Sequence, residues 1–137
     1  MKFSSLALTE VLQKNLKTLD YTHATEIQQE AIPLILAGND VMARAQTGTG
    51  KTAAFALPIL NKLITCENRD SKLSALILAP TRELVQQIYA NFTQYGKNTD
   101  ARIVAAFGGV SINPQISSIT QGVDIIIATP GRLLDLL

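Results

Sequence analysis

The sequence predicts an α/β fold, a parallel sheet with helices on both faces, and two observations carry that prediction. Short continuous apolar runs alternate with segments of helical periodicity, the order expected of repeated strand, crossover, strand units. A glycine-containing octapeptide, Ala45-Gln46-Thr47-Gly48-Thr49-Gly50-Lys51-Thr52, lies between the apolar run Val41-Met42-Ala43 and the apolar helical pattern Ala53, Ala54, Phe55, Leu57, Ile59 and Leu60. That order reads as strand, glycine loop, helix.

Leu8, Val11, Leu12, Leu16 and Leu19 fall at helical spacing behind Thr9, an N-cap residue with Glu10 in the first turn. A second helix starts at Thr25, whose spacing to Gln28 makes a capping box. It runs through Ile27, Ala31, Ile32 and Ile35 to a stop at Gly38, with Pro33 bending it. After the glycine loop and its helix, the polar stretch Cys66-Glu67-Asn68-Arg69-Asp70-Ser71-Lys72 reads as a surface loop.

Three further units follow one scheme. Ala75-Leu76-Ile77-Leu78-Ala79 is a continuous apolar run, as in a parallel strand buried on both faces. It breaks at Pro80, and Thr81 caps a helix whose Leu84, Ile88, Phe92 and Tyr95 share a face before Gly96 ends it. Arg102 to Phe107 forms the next strand, followed by Gly108-Gly109 and a short helix from Asn113-Pro114 with Ile116 and Ile119 inward. Val123 to Ala128 forms the last strand, followed by Thr129 as N-cap, Pro130 at the first helical position, and a helix carrying Leu133, Leu134 and Leu137.

In a parallel sheet with right-handed crossovers, every strand-to-helix turn emerges at the carboxyl edge, where ligands bind. The glycine loop, Pro80-Thr81-Arg82-Glu83, Gly108-Gly109 and Thr129-Pro130-Gly131-Arg132 should therefore crowd one edge. Gly48 and Gly50 let backbone N–H groups of the loop converge on a phosphate, and the helix that follows points its positive end there. Lys51 would reach the β- and γ-phosphates, and the Thr52 hydroxyl would hold Mg²⁺. The usual loop pattern opens with Gly, whereas this one opens with Ala45. The other three turns, with Arg82 and Arg132 beside two of them, suit a second anion of repeated phosphates contacted mainly through its backbone. A mere turn at the glycine doublet, a mere helix start at Thr129 and a solvated pair at Arg82-Glu83 are the plain alternatives; their common edge weighs against them.

Gln28 has two readings: it closes the capping box, which spacing alone favours, or its amide meets an adenine edge. Tyr21 divides likewise between packing and stacking on a base. His23 has no evident carboxylate partner and reads as a surface residue.

Composition narrows the function classes. The chain has 137 residues, enough for one domain's core, and a net charge of +1, so no bulk basic field recruits nucleic acid and any such site is built from placed groups. Cys66 is the only cysteine, which excludes a disulfide framework and a cysteine zinc cluster and suits a cytoplasmic setting. No signal-peptide core is evident after Met1, and no apolar run reaches the ~18 residues of a membrane span.

Together these residues resemble the DEAD-box ATP-dependent RNA helicases, specifically their first RecA-like domain, over essentially the whole chain. Ala45 to Thr52 matches that family's motif I, its initial Ala included. Asp20 to Gln28 resembles the Q motif, with Phe3 at the family's upstream aromatic position; Pro80 to Val85 is similar to motif Ia, Gly108-Gly109 to the glycine doublet, and Thr129 to Arg132 to motif Ic. Five motifs in order are far more specific than any one. Asp20, Ala24 and Val85 depart from the family's commoner Gly, Pro and Ala.

The resemblance implies that Gln28 reads adenine and Tyr21 stacks on it, reversing the reading from spacing. It implies that motif Ia, the doublet and motif Ic hold an RNA sugar-phosphate backbone, that ATP and Mg²⁺ are the cofactors, and that Lys51 and Thr52 belong to the catalytic machinery. Residues 1–39 would be N-terminal helices carrying the Q motif, and residues 40–137 a partial RecA-like ATP-binding domain.

Metal-assisted hydrolysis needs a carboxylate at the end of an apolar strand and another to orient the attacking water. None of the acidic residues occupies such a place: Asp124 begins its strand, and Asp135 lies in the terminal helix. The D-E-A-D sequence would follow beyond Leu137, as would the partner RecA-like domain. The sequence therefore reads as an incomplete piece of a helicase that binds nucleotide weakly and hydrolyses it negligibly. An open sheet edge would be a route to self-association. Two rival classes are a non-enzymatic nucleotide- or RNA-binding module and a small-molecule phosphotransferase; the second leaves the RNA-facing turns unexplained.

Overall fold

The computed structural model describes residues 1–66 and 73–137, so the loop expected at 66–72 lies, Cys66 apart, outside the described residues. The chain divides into two units, one comprising Met1–Cys66 with Gln94–Thr99, the other lying within residues 67–93 and 100–137.

In the first unit, a 3₁₀ turn at Phe3–Ser5 precedes α1 (Glu10–Thr18), α2 (Glu26–Leu36) and α3 (Lys51–Thr65). Thr9 stands at the N-cap of α1 with extended backbone, but its hydroxyl caps nothing. Its backbone N–H instead donates to Asn61 Oδ1 at 2.7 Å, tying α1 to α3. The stripe predicted for α1 is apolar where it should be: Leu12 and Leu16 are buried. Asn15, buried on the same helix, donates its amide to the carbonyls of Tyr95 and Lys97 at 2.8 and 2.7 Å and so holds the 94–99 segment. The α2 capping box forms in full: Gln28 N–H donates to Thr25 Oγ1 at 3.4 Å, and Thr25 N–H to Gln28 Oε1 at 2.9 Å. Ile32 of α2 and Leu57 and Leu60 of α3 are fully buried, each contributing about 1.5–3 kcal/mol by leaving water. Pro58 sits inside α3, where its missing N–H leaves one carbonyl of the preceding turn without its helical donor.

The strand expected at Val41–Ala43 does not form. That run is irregular and exposed, with Met42 at 102% relative accessibility. A strand needs ladder partners for its N–H and C=O groups, and no strand described here pairs with these residues. An apolar run of three residues cannot supply what a neighbouring strand would.

In the second unit, β1 (Ala75–Leu78), β2 (Ile103–Ala106) and β3 (Ile125–Ala128) form a three-stranded sheet in the order β1-β3-β2, and both pairings are parallel. α4 (Arg82–Tyr95, its last two residues falling in the first unit) connects β1 to β2, α5 (Asn113–Thr120) connects β2 to β3, and α6 (Pro130–Leu136) follows β3. The first crossover passes over β3 and the second returns, so right-handed connections put α4 and α5 on opposite faces, as expected for this class.

Central β3 is buried along its length, packing with Val123, Ala106, Ile119 and Leu133. By contrast β1, paired on one side only among the described residues, alternates: Leu76 is 45% and Leu78 53% exposed. The reading of β1 as buried on both faces is therefore corrected; a continuous apolar run identifies a strand but not how many of its faces are covered. On α4, Ile88 and Phe92 are buried as expected, together with Val85.

On α5 the expected face is also corrected. Ile119 packs inward, but Ile116 is exposed and Gln115 is buried. Gln115 and Ile119 lie four apart on one face. The amide's hydrogen bonds, described below, turn that face to the sheet.

One ion pair closes the amino-terminal edge of the sheet. The fully buried Asp124 carboxylate accepts from Arg102 Nη2 at 2.9 Å, from Arg102 Nε at 3.2 Å and from the Arg102 backbone N–H at 2.8 Å. The Arg102 pKa is raised, chiefly by that hydrogen bond. Gly122 makes room for the arrangement, since a Cβ there would lie 2.4 Å from Arg102 Nη1. Asp124 thus fixes the start of β3 to that of β2, in keeping with its position at the wrong end of the strand for catalysis.

Candidate functional site

In the first unit the octapeptide folds as an irregular loop leading into α3. Gly48 and Gly50 both adopt φ of +84°, the left-handed region that glycine enters without penalty, and Gly50 is the N-cap of the helix. The N–H groups of Lys51, Thr52 and Ala53 head a helix of 15 residues and are the donors a helix cannot satisfy itself. Within the loop, Thr49 Oγ1 donates to the Gln46 carbonyl at 2.6 Å, and Lys51 Nζ donates to the Ala45 carbonyl at 2.8 Å. Lys51 is exposed and Thr52 half-buried, while Gln46, Thr47 and Gly48 face solvent. The loop is therefore closed end to end by Lys51, with Ala45 contributing a carbonyl to that closure.

Gln28 is joined directly to this loop. Besides the capping box, its Nε2 donates to the Gly50 carbonyl at 3.1 Å, and the residue is only 3% exposed. A Cβ on Gly50 would come within 2.2 Å of Gln28 Nε2, so the amide lies directly against the glycine. An amide offers two N–H donors and two lone pairs. The capping box uses one lone pair and Gly50 one N–H, which leaves one donor and one acceptor on the same group. The structural and the ligand-reading roles of Gln28 are thus compatible.

Tyr21 is placed differently. Its ring is tilted against buried Phe3, with centroids 6.1 Å apart, and meets Tyr95 edge-on at 5.9 Å; the two tyrosine hydroxyls are 3.3 Å apart. Burial, and then the hydrogen bond with Tyr21, raise the Tyr95 pKa. Tyr21 remains 37% exposed, so it packs on one side and offers the other. His23 is exposed and contacts Thr22 Oγ1 at 3.1 Å.

In the second unit, three of the four predicted turns emerge from the carboxyl ends of parallel β1, β2 and β3 and so share one edge. Val41–Ala43, the strand expected before the glycine loop, pairs with no described strand, so the sheet itself supplies three of the four expected strand-to-helix turns. Pro80 and Thr81 lead into α4, and the Thr81 hydroxyl accepts from Leu84 N–H at 3.2 Å, the cap its position predicts. Arg82 is exposed and lies over the Phe107 ring at 5.0 Å, with Nη1 3.2 Å from where a Gly109 Cβ would be. Gly108 and Gly109 are exposed, and Gly109 has φ of +81°. Thr129 is the N-cap of α6 without a side-chain cap bond, while Pro130 and Gly131 are exposed.

Of the two arginines predicted at these turns, Arg132 turns its group inward. Its Nη1 donates to Gln115 Oε1 at 3.0 Å and its Nη2 to the Val110 carbonyl at 3.0 Å; Nε is buried 3.8 Å from Asp135, an ion-pair separation too long for a hydrogen bond. Gln115 Nε2 in turn donates to the Phe107 carbonyl at 3.2 Å. The sequence reading missed Gln115. Its only signal was a place four residues before Ile119, on the face assigned to apolar side chains.

The first unit carries a glycine loop at a helix N-terminus tied to a glutamine amide, and the second carries a sheet edge bearing three glycine- and proline-containing turns and an exposed arginine. A family model described as DEAD/DEAH box helicase matches residues 25–137, which includes every motif from the capping box onward. The chain belongs to the DEAD/DEAH box helicase family. Its relatives include the ATP-dependent RNA helicase CshA of Limosilactobacillus reuteri, 44% identical over 98% of this chain and 27% of that protein. The DEAD-box ATP-dependent RNA helicase RhpA of Helicobacter pylori (strain B128) is 45% identical over 97% of the chain and 26% of its own length. The chain thus spans about a quarter of the curated helicases it matches. Among solved structures, a DEAD box protein from the hyperthermophile Methanococcus jannaschii superposes with a TM-score of 0.89 at 35% identity, over 98% of this chain and 36% of that one. A hypothetical ATP-dependent RNA helicase from Sulfolobus tokodaii gives 0.83 at 37% identity, over 94% and 36%. The fold of this DEAD/DEAH box chain is accordingly the RecA-like α/β class its sequence predicts.

Proposed function

We propose that this chain is the ATP- and RNA-binding part of an ATP-dependent RNA helicase. The observation that carries the reading is the bond from Gln28 Nε2 to the Gly50 carbonyl, which sets a half-used amide against the phosphate loop. Its remaining N–H and lone pair match the acceptor and donor that adenine presents side by side, and guanine presents no such pair along the corresponding edge. The exposed side of Tyr21 is the surface for stacking on the base. On phosphate binding, Lys51 exchanges the neutral Ala45 carbonyl for phosphate oxygens, a charge-assisted bond roughly twice as strong. The donor set suits Mg²⁺, which keeps several waters and takes few protein ligands beside phosphate oxygens: the Thr52 hydroxyl would hold it, and it would neutralise charge on the β- and γ-phosphates.

In this reading residues 1–39 carry the adenine-reading segment, and residues 40–137 form a partial RecA-like domain. The turns at Pro80–Arg82, Gly108–Gly109 and Thr129–Arg132 take the RNA sugar-phosphate backbone. A second RecA-like domain of the same parent completes the nucleotide site, the setting is cytoplasmic, and the chain on its own hydrolyses ATP negligibly. Support for that last point is the place of the acidic residues nearest the sheet: Asp124 precedes β3 and is taken up by Arg102, and Asp135 lies in α6, so neither ends a strand at the carboxyl edge. No helix described is long and apolar enough to cross a membrane.

The test is competition against a fluorescent ATP analogue. ATP and ADP should displace it weakly but better than GTP, and Gln28→Ala should remove the preference. Equal displacement by ATP and GTP from the unmodified chain would sink the assignment of Gln28, and RNA-stimulated phosphate release by the chain alone would sink the assignment of inactivity.

A further inference from the structure

We propose that Gln115 is a positioning residue: it couples the end of β2 to Arg132, so that Arg132 shapes the Gly108–Val110 turn from within while Arg82 presents the charge. The inference rests on the RNA-binding reading above and specifies how that edge is built. All three guanidinium nitrogens of Arg132 face protein, toward Gln115, Val110 and Asp135, and the side chain is only 10% exposed. Gln115 and Val110 take two of its five N–H groups and Nε–H is buried, so the guanidinium turns little of its donor edge to solvent. Gln115, 8% exposed, uses its amide in two directions, accepting from Arg132 and donating to the Phe107 carbonyl immediately before the glycine doublet. The Gly108–Val110 turn is thereby gripped at both ends: at Phe107 through Gln115, and at Val110 through Arg132.

Arg82 stands in the opposite situation. It is exposed, rests on the face of the Phe107 ring, and passes close over Gly109, where a side chain would crowd it. The ring attracts the guanidinium by a cation–π interaction, and the residue stays exposed. Phe107 therefore links the two arginines, its carbonyl to the Gln115 and Arg132 network and its ring to Arg82. Loosening Gln115 should shift the surface on which Arg82 lies.

The test titrates the chain and its variants with a labelled single-stranded oligouridylate over a range of KCl concentrations, beside amide hydrogen exchange at residues 108–110. Each phosphate contact on a single strand adds about 0.7 to the slope of log affinity against log salt. Arg82→Gln should lower the slope by about that amount. Gln115→Ala and Arg132→Gln should weaken binding about fivefold, on the scale of one hydrogen bond, with the slope unchanged. Both should also speed exchange at Gly109 and Val110. Should Gln115→Ala not fold, Gln115→Met keeps the volume and removes both amide bonds.

A slope lowered by about 0.7 in Arg132→Gln makes Arg132 a phosphate ligand and overturns the proposal. A Gln115 variant with a lower melting temperature but unchanged RNA affinity also overturns it, since that is a purely structural role. Failure of the unmodified chain to bind RNA overturns the reading on which the proposal rests; unchanged exchange at residues 108–110 in the Gln115 variants overturns the grip itself, whatever RNA does.

Discussion

Gly50 and Gln28 show how much a single contact can demand at the residue scale. Gly50 needs its φ of +84° and must also lack a side chain, because the Gln28 amide lies where a Cβ would go. Gly50→Ala should therefore lose about 1–3 kcal/mol through left-handed strain, with a further loss from displacing Gln28. Urea unfolding should show the lower stability, and nucleotide competition should show weaker binding. Tyr95 allows a second prediction. Burial first, and the Tyr21 hydroxyl second, raise its pKa above the ordinary 10.0. The unfolded chain releases this proton from about pH 10, whereas the folded chain keeps it. Tyr95's contribution to stability is thus whole below that pH and is lost as the pH rises toward the folded-state value. Urea midpoints should fall from about pH 10 upward, and Tyr95→Phe should flatten that fall while costing about 0.5–1.5 kcal/mol at neutral pH for the lost hydroxyl contact.

At the scale of elements, the sheet is held at both ends of its strands by side chains rather than by its short ladders alone. Asp124 to Arg102 closes the amino-terminal edge, and Gln115 with Arg132 closes the carboxyl edge. Asp124→Ala should cost about 2–4 kcal/mol, below the figure for a pair buried on both sides, because the freed Arg102 reaches water. A lower urea midpoint with an unchanged m-value would check it. Legibility in the sequence followed the range of the interaction. The Thr25–Gln28 box and the Thr81 cap were readable because both partners lie within one helical turn. Val41–Ala43 failed as a strand because its existence depends on a neighbour, and Ile116 failed as an inward residue because Gln115, bonded to Phe107 and Arg132, sets the rotation of α5. Of the site, the glycine loop and the three turns were legible as motifs. That Arg82 faces outward while Arg132 faces inward depends on residues 17 to 25 positions away, which no local pattern encodes.

For the molecule as a whole, the exposed alternation of β1 matters most. Leu76 and Leu78 present an apolar strip on a strand paired on one side only among the described residues, and an edge of that kind is a template for pairing with another chain. The purified chain should associate as concentration rises, and Leu76→Thr with Leu78→Thr should shift sedimentation toward monomer. A clean monomer across concentration in the unmodified chain would rule this out. The two units should also respond separately to substitution: Gly50→Ala should act on nucleotide and Gln115→Ala on RNA, and changes that share no partner should add.

The contact between Gln28 and Gly50 bears finally on which sequences can encode this fold. Twenty-two positions apart, these residues form one steric specification, a long amide at the first and bare backbone at the second. Either substitution alone leaves a clash or an unfilled partner, whereas Gly50→Ala combined with a shorter residue at position 28 relieves the overlap. A saturating survey of variants should find the two sites changing in concert for folding, and immovable together wherever selection also asks for adenine.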